Sequence, residues 1–384
     1  MQAKTETVPQ NLLTQEERIA NFSSRLDASA RYVLLLPAVI IVLVLAIFPL
    51  LVSLYLSFAS FKFVKGGFSI DFVGLLNYAK LISGSEQRTF LGKPGAIPIM
   101  GWALLAVFVG LMVYMLYGYF RSSRFTLFGC VMRVISVVLA SALGWLVLAT
   151  LVGANGLPGA LVVTLVFVVG GVTLQYFLGL GLALLLTQNL PGKRFFRVVF
   201  LLPMMITPVG IGFLFKMMTD ALKGPFSPIL LALGLGNISF LGSGDTARIA
   251  VLIGDVWQWT PFMFIILLAA LEGVSREIIE ASLVDGATRV QLFRHIIFPE
   301  VIPVSTTVIL IRLIEAFKII DLPNILTGGG PGTATTTMTL QAYIDWRSLN
   351  LGGSAAVAYL LLIIVTFSAL VFVNFIRRRL LEFA

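Results

Sequence analysis

The sequence contains little of what enzymes use for chemistry. Among its 384 residues there is one cysteine, Cys130, and one histidine, His295. A single thiol forms no internal disulfide and no thiolate metal site, and a single imidazole forms no histidine cluster. The sequence also has no Gly-x4-Gly-Lys-Ser/Thr phosphate loop, so the chain does not bind ATP by that motif. We therefore expect no catalytic residue, no metal site and no cofactor in this chain.

Charge is also scarce, which excludes an ordinary soluble domain. Charged residues make up 12% of the chain, hydrophobic residues 58%, and the mean hydropathy is +1.00. A soluble domain of this length carries roughly twice that fraction of charge. The composition predicts an all-α polytopic membrane protein in contact with the lipid bilayer. The net charge of +9 fits basic loops at a membrane better than nucleic-acid binding, so no nucleic acid is expected as a partner.

Long apolar runs predict eight transmembrane helices. A span needs about 20 mostly apolar residues. The segments that qualify are about 32–58, 97–119, 132–153, 159–187, 198–218, 249–271, 301–320 and 355–376. Residues 1–31 are polar and too acidic for a signal peptide, so we expect a retained first span. The predicted organisation is an N-terminal segment, 1–31, followed by a transmembrane domain, 32–384.

The basic residues predict the orientation of these spans. With the N-terminus in the cytoplasm, the cytoplasmic segments hold 16 of the 27 lysines and arginines. Each of these segments holds at least three, whereas the outer turn 154–158 holds none. Because short cytoplasmic loops are enriched in basic residues, we expect both termini on the cytoplasmic side of the cell inner membrane.

A polar segment interrupts the apolar chain after the sixth span. It runs Glu280-Ala-Ser-Leu-Val-Asp-Gly286, and Ile296-Ile-Phe-Pro299 follows after nine residues. Gly286 ends the first short helix, a second short helix follows, and Pro299 and Pro303 then open the next span. Two short helices at an angle would form a compact projection within the loop 272–300. An amphipathic loop lying on the membrane surface is the simpler alternative.

Polar side chains also occur at membrane depth. Such residues are costly in a span and usually face a cavity or a partner. The candidates are Arg312, Glu315 and Lys318 in the seventh span, Asp255, Trp257, Gln258 and Trp259 in the sixth, and Thr207 between Pro203 and Pro208 in the fifth. Aromatic rings beside hydrogen-bonding groups suit a sugar site. Alternatively, the three charged residues of the seventh span form a structural ion-pair ladder between helices or with a partner subunit.

The polar segment resembles the signature loop of bacterial ABC importer permeases. That loop reads Glu-Ala-Ala-x3-Gly-x9-Ile-x-Leu-Pro, and this chain departs from it at Ser282 and Phe298. Further matches to sugar-type permeases are Phe72-Val-Gly-Leu-Leu-Asn-Tyr78, Trp259-Thr-Pro-Phe262, Leu326-Thr-Gly-Gly-Gly-Pro331 and Gly352-Gly-Ser-Ala-Ala356. The resemblance covers about 58–78 and 159–376, and points to the carbohydrate-uptake branch with the maltose and glycerol-phosphate permeases.

The resemblance implies a role for each part of the chain. A six-helix core would form half of a translocation path for a carbohydrate or polyol, and the helix pair in 97–153 would be an addition to it. The residues implied to contact an ATPase are Glu280, Ala281, Ser282, Asp285, Gly286 and Ala287. Positions that line the path in maltose-type permeases fall on Arg312, Glu315, Ala316 and Ile319, to which we add Thr207, Gln258 and Trp257 for their chemistry.

The implied partners complete an ATP-driven importer. They are a second, homologous permease, two ATP-binding subunits that bind the nucleotide, and an extracytoplasmic solute-binding protein. The rival hypothesis is a secondary transporter of a small polar solute, driven by H⁺ or Na⁺ through Asp255, Glu315 and Asp321. That hypothesis leaves the loop 272–300 unexplained and predicts repeat symmetry with broken midplane helices.

Overall fold

A computed structural model describes residues 35–120, 127–188, 190–220, 223–225, 227–232 and 241–383. The predicted N-terminal segment, 1–31, lies outside the described residues. The chain divides into two compact units, Met1–Leu56 and Ser57–Ala384. The first unit contains almost all of helix α1 (Leu35–Ser57), whose 23 mostly apolar residues reach about 35 Å and include a π-helical turn at Leu43–Ile47.

The second unit is built almost entirely of helices. In chain order they are α2 (Leu76–Ser83), α3 (Gln87–Phe90), α4 (Ile99–Phe120), α5 (Leu127–Leu151), α6 (Ala160–Leu186), α7 (Lys193–Met205), α8 (Pro208–Met218), α9 (Ser227–Ala232), α10 (Gly244–Glu272), α11 (Arg276–Val284), α12 (Arg289–Ala316), α13 (Asp321–Thr327), α14 (Met338–Arg347) and α15 (Leu351–Phe383). The predicted all-α polytopic class is confirmed. Among the described residues, seven helices can span a membrane, and the bent pair α7–α8 makes the predicted eighth.

The fifth predicted span, 198–218, is broken rather than continuous. Helices α7 and α8 meet at 96°. Pro208 lacks an N–H and disfavours helical backbone in the residue before it, and Thr207 accordingly has φ −62° and ψ 144°. The Thr207 hydroxyl then accepts a hydrogen bond from the Gly210 amide and caps α8. The sequence predicts a loosened helix here, and the structure has a corner.

Two small antiparallel sheets were not predicted. Strands β1 (Ala59–Val64) and β2 (Gly67–Phe72) form a hairpin directly after α1. Strands β3 (Gly92–Lys93) and β4 (Leu157–Pro158) pair across the ends of the extra helices α4 and α5. Each strand is two to six residues long, too short to outweigh the apolar runs in a reading of the sequence.

The second short helix predicted in the loop 272–300 does not exist as a separate element. Helix α12 runs without interruption from Arg289 to Ala316, through both Pro299 and Pro303. A wide π-helical turn at Phe293–Ile297 ends two residues before Pro299. Such a turn makes room for a proline ring that would otherwise clash with the preceding carbonyl groups. The loop and the following span are therefore one element, about 42 Å long for 28 residues.

The main apolar core lies between α6, α10 and α12. Phe264, Leu267 and Val308 are fully buried there. Helices α6 and α10 approach closely because Gly179 has no side chain. A Cβ atom at this position would lie 2.6 Å from the Cβ of Met263. This tight contact fixes the two helices that carry most of the buried polar groups.

Asp345, in α14, is a buried carboxyl group outside the spans. Its Oδ1 accepts a hydrogen bond from Gln341, and its Oδ2 is buried with no hydrogen-bond partner among the described residues. Burial raises the pKa of Asp345 to about 6, with a smaller upward contribution from Glu86, while the Gln341 hydrogen bond lowers it. The folded state therefore binds this proton more tightly than the unfolded state does.

We expect Asp345 to make the unfolding temperature of the purified complex fall as pH rises from about 4 to about 7. The stabilising contribution of the Asp345 carboxyl is complete at a pH below its pKa in the unfolded chain. It is lost as the pH rises past its pKa in the folded protein, which is about 6. Asp345→Asn should flatten this part of the profile and stabilise the protein at pH 7.5 by about 2 kcal/mol. The exposed Asp71→Asn variant is the control and should keep the wild-type profile. A wild-type profile for Asp345→Asn would contradict the assignment.

Candidate functional site

Three buried polar side chains from three helices form one hydrogen-bonded cluster, here called the polar triad. Its members are Gln175 of α6, Asp255 of α10 and Arg312 of α12, each at most 4% exposed. Arg312 Nη2 lies 2.8 Å from both carboxylate oxygens of Asp255, and its Nε donates to Gln175 Oε1 at 2.8 Å. The Gln175 amide donates to Asp255 Oδ2 at 2.8 Å and to the Asp255 carbonyl at 3.1 Å. The triad therefore ties together the three helices of the core.

A cavity of about 150 Å³ lies beside the triad. The Arg312 guanidinium also stacks 4.8 Å from the ring centre of Trp259, which is a cation–π contact. The lining residues are Pro208, Asp255, Gln258, Trp259, Arg312, Glu315, Lys318, Ile319, Ile320, Asp321 and Leu322. They come from the corner before α8, from α10, from α12 and from the start of α13. An aromatic ring among several hydrogen-bonding groups can hold a polar solute with an apolar face.

The structure brings together four of the seven residues proposed for the path. Gln258, Arg312, Glu315 and Ile319 all line the 150 Å³ cavity. The other three lie apart from it. Ala316 is buried in the apolar core, Trp257 packs on Phe215 with ring centres 5.8 Å apart, and Thr207 caps α8 beside the cavity-lining Pro208.

The three charged residues of the predicted seventh span, Arg312, Glu315 and Lys318, form no continuous ladder. Glu315 and Lys318 pair with each other at 2.7 Å, and both side chains are about half exposed. Arg312 pairs instead with Asp255 on another helix. The alternative of a structural ion pair between helices therefore holds for Arg312. This arginine also forms part of the cavity wall.

Gln175 is the important residue that the sequence reading missed. It is fully buried and forms hydrogen bonds with both Asp255 and Arg312. Gln175 is the one amide side chain in the otherwise apolar α6, and an isolated amide at membrane depth is a usable signal. Its partners lie 80 and 137 residues away in the chain, so only the packing of the helices identifies them.

The turn at Gly286 is a Schellman motif that ends α11. Gly286 has φ 82°. Its amide donates to the Leu283 carbonyl, and the Ala287 amide donates to the Ser282 carbonyl. These are the two bonds of that motif, with glycine in the left-handed position. Gly286 thus ends the helix, as predicted. No atom of the described residues lies within 4 Å of the place that a Cβ atom at Gly286 would occupy.

The residues proposed for partner contact surround this turn. Glu280, Ala281 and Asp285 are exposed, Ala287 is half-buried, and Ser282 is buried, with its hydroxyl bonded to the Ile278 and Ile279 carbonyls. Ser282 therefore supports the helix from within. Exposed apolar side chains lie beside them: Ile278, Leu283, Val284 and Val290. An exposed apolar patch rimmed by polar residues is typical of a protein interface.

The base of this loop is fixed to the core. Val274 and Val301 are buried, and Ile279 and Ile297 pack against the same apolar cluster. An ion pair of 2.6 Å joins Arg197 of α7 to Glu272 at the end of α10. The loop is therefore a projection of the helical core that is packed against it at its base.

A larger cavity of about 550 Å³ lies elsewhere, among the ends of α3, α5 and α10 and the Gly-Gly-Pro loop. Its lining includes Arg88, Arg248 and Thr333 but no aromatic side chain. It also contains none of the residues proposed for the path. We therefore place the candidate site at the smaller cavity, where the buried polar groups converge.

Comparison with known proteins relates this architecture to membrane transport. Residues 175–382 match the family described as binding-protein-dependent transport system inner membrane component. The trehalose/maltose transport system permease protein of Thermococcus litoralis is 34% identical over 212 residues, which cover 55% of this chain and 72% of that one. A probable ABC transporter permease protein of Sinorhizobium fredii is 27% identical over 362 residues, covering 94% and 93%. The sn-glycerol-3-phosphate transport system permease protein of Rhizobium meliloti is 32% identical over 212 residues, covering 54% and 71%.

Solved structures show the same fold. One is a chain of a bacterial ABC transporter involved in the import of the acidic polysaccharide alginate, with a TM-score of 0.53 and 18% identity. It covers 73% of this chain and 93% of its own. Another, from the alginate transporter in complex with its pentasaccharide-bound periplasmic protein, has a TM-score of 0.53 at 21% identity and covers 58% of this chain and 78% of its own.

Proposed function

This chain belongs to the family of binding-protein-dependent transport system inner membrane components, and on that premise we propose that it forms half of the translocation path for a carbohydrate or polyol. It is a multi-pass membrane protein and a permease subunit of an ABC importer. The resemblance drawn from the signature loop is thereby confirmed. The subunit is non-catalytic, and a partner hydrolyses ATP. None of the relatives reported above is a secondary transporter, so that alternative has no support.

One observation carries the proposal: a single helix connects the two candidate sites. Helix α12 begins three residues after Gly286 and contains Arg312 and Glu315 at the cavity. The distance along its axis from Arg289 to Arg312 is about 35 Å. A force applied at the turn therefore moves the cavity wall directly. This is the mechanical connection that a rigid-body alternating-access transporter needs.

The proposed assembly follows from the surfaces on this chain. A second, homologous permease would supply the other half of the path. Two ATP-binding subunits would contact the exposed turn around Glu280 and Gly286, and an extracytoplasmic binding protein would deliver the solute. When the ATPase subunits close on ATP, they would pull the two turns together and change the access of the cavity.

The cavity supports a neutral carbohydrate more than a phosphorylated solute. Arg312, the best anion-binding side chain in its wall, already pairs with the Asp255 carboxylate, donates to Gln175 and stacks on Trp259. Lys318 is paired with Glu315. Among the lining residues, the Trp259 ring and the Gln258 amide are the groups that suit the faces and hydroxyl groups of a sugar. Several relatives carry sugar names, including trehalose/maltose and starch degradation products.

We expect Trp259→Ala to lower uptake of the solute about tenfold or more in the reconstituted importer, because the path loses its aromatic surface. Trp259→Phe should retain part of the activity. The matched control is Trp102→Ala in the extra helix pair, which contributes no residue to the cavity and should leave uptake unchanged.

The measurement is ATP-dependent uptake into proteoliposomes that contain the complete importer and its solute-loaded binding protein. All variants must first show wild-type assembly with the ATPase subunits. Equal losses for Trp259→Ala and Trp102→Ala would reject the placement of the path.

For the orientation, we propose that both termini and the loop 272–300 are cytoplasmic. A single cysteine at Gln291, in a Cys130→Ala background, should resist an impermeant thiol reagent in intact cells and react after lysis, because Gln291 is exposed in α12. Labelling without lysis would reverse the topology.

A further inference from the structure

The hairpin β1–β2 is amphipathic, with one aromatic and one polar surface. Its register pairs Phe61 with Ile70 and Ala59 with Phe72, and paired residues lie on the same face of a sheet. Phe61 also stacks on Phe68 with ring centres 5.4 Å apart. Phe61, Phe68, Ile70 and Phe72 thus form what is here called the aromatic face. The opposite face carries Ser60, Lys62, Ser69 and Asp71.

The aromatic face is exposed to an unusual extent. Phe68 is 63% exposed and Phe72 is 70% exposed. At its base the hairpin is firmly held, because Ala59 is fully buried and Asn77 donates hydrogen bonds to the Ser57 and Ala59 carbonyls at 2.9 Å. The base also packs tightly on α15: a Cβ atom on Gly352 would lie 2.3 Å from the Ala59 carbonyl oxygen. An exposed apolar surface on a hairpin whose base is fixed in this way indicates that something in the assembled protein or membrane covers it.

The position of the hairpin in the chain identifies that partner. Strand β1 begins two residues after the membrane-spanning α1 ends at Ser57, so it lies within about 7 Å of the end of that span. A two-stranded sheet has unpaired backbone groups on both edges and cannot enter the hydrocarbon core. It can lie among the lipid headgroups, where aromatic side chains are enriched. The exposed Lys65, in the hairpin turn, is within reach of lipid phosphates there.

We propose that the aromatic face is a membrane anchor that inserts into the headgroup region of the leaflet at which α1 ends. The polar face with Ser69 and Asp71 then points to water. Through Ala59 and Gly352, the anchor holds the start of α15 at a fixed depth. This lipid contact is independent of the solute path and of the ATPase surface.

The test uses the complete importer in nanodiscs of phosphatidylethanolamine and phosphatidylglycerol. Spin labels are attached to single cysteines at Phe68, Phe72, Ser69 and Asp71, in a Cys130→Ala background that retains uptake. Accessibility to lipid-soluble oxygen is compared with accessibility to a water-soluble nickel chelate. Leu111→Cys, on an exposed position of α4, is the lipid-facing reference.

We expect labels at Phe68 and Phe72 to be several-fold more accessible to oxygen than to the nickel chelate, and labels at Ser69 and Asp71 to show the reverse. High nickel accessibility on both faces would mean that the aromatic face lies in water and would overturn the proposal. Low accessibility to both reagents at Phe68 and Phe72 would mean that a protein subunit covers this face, and would overturn it equally.

Discussion

Replacing Arg312 by methionine should destabilise the importer more than any other single change in the core. The substitution leaves the Asp255 carboxylate buried and unpaired, and it removes the hydrogen bond to Gln175. Breaking a buried ion pair from one side costs about 3–5 kcal/mol. We expect a correspondingly large fall in the unfolding midpoint of the purified complex, together with loss of uptake.

The double variant Arg312→Met/Asp255→Leu separates ion pairing from packing. Because it removes both charges, it should be more stable than Arg312→Met alone, even though it lacks one more native side chain. Lys318→Met is the matched control. It breaks the half-exposed pair with Glu315 and should change stability by about 1 kcal/mol or less. A double variant less stable than Arg312→Met would show that the triad is not held by its charges.

The second large effect is expected at the turn that ends α11. Gly286→Leu forces a branched side chain into a left-handed backbone conformation, at a cost of about 1–2 kcal/mol, and adds bulk to an exposed surface. Glu280→Lys reverses a charge on the same surface, and like charges across an interface cost several kcal/mol. We expect normal amounts of permease in the membrane but no uptake, with either loss of the ATPase subunits or solute-independent hydrolysis.

The control for Gly286→Leu is Gly286→Asn, because asparagine tolerates the left-handed conformation and should preserve the turn. Glu280→Gln removes the charge without reversing it and should retain part of the uptake. Uptake and copurification of the ATPase subunits report on coupling separately from folding. Full uptake by both Gly286→Leu and Glu280→Lys would remove this turn from the coupling surface.

The turn at Gly286 and the cavity beside Arg312 differ in how their residues are arranged along the chain, and this difference explains which of those residues could be predicted from the sequence. The turn at Gly286 is local, since the seven consecutive residues Glu280–Gly286 contain the end of the helix, its terminator and two acidic groups. Its positive φ and its exposure follow from that pattern alone. The cavity is assembled from residues far apart in the chain. Glu315 and Gln258 stand out as polar residues in apolar runs. Ala316 and Trp257 are their immediate neighbours in the sequence, but Ala316 faces the core and Trp257 packs on Phe215.

The sequence by itself determined the membrane class, the number of apolar segments and the helix terminator at Gly286. These features depend on composition and on contacts within one turn, so local physical chemistry is sufficient to define them. Only the tertiary structure decided that α12 is one continuous helix through two prolines, that the fifth span is a corner, and that Gln175 and Asp255 both bind Arg312. Each of these depends on where distant helices pack, because a buried charge or a proline is tolerated only where neighbouring groups compensate for it.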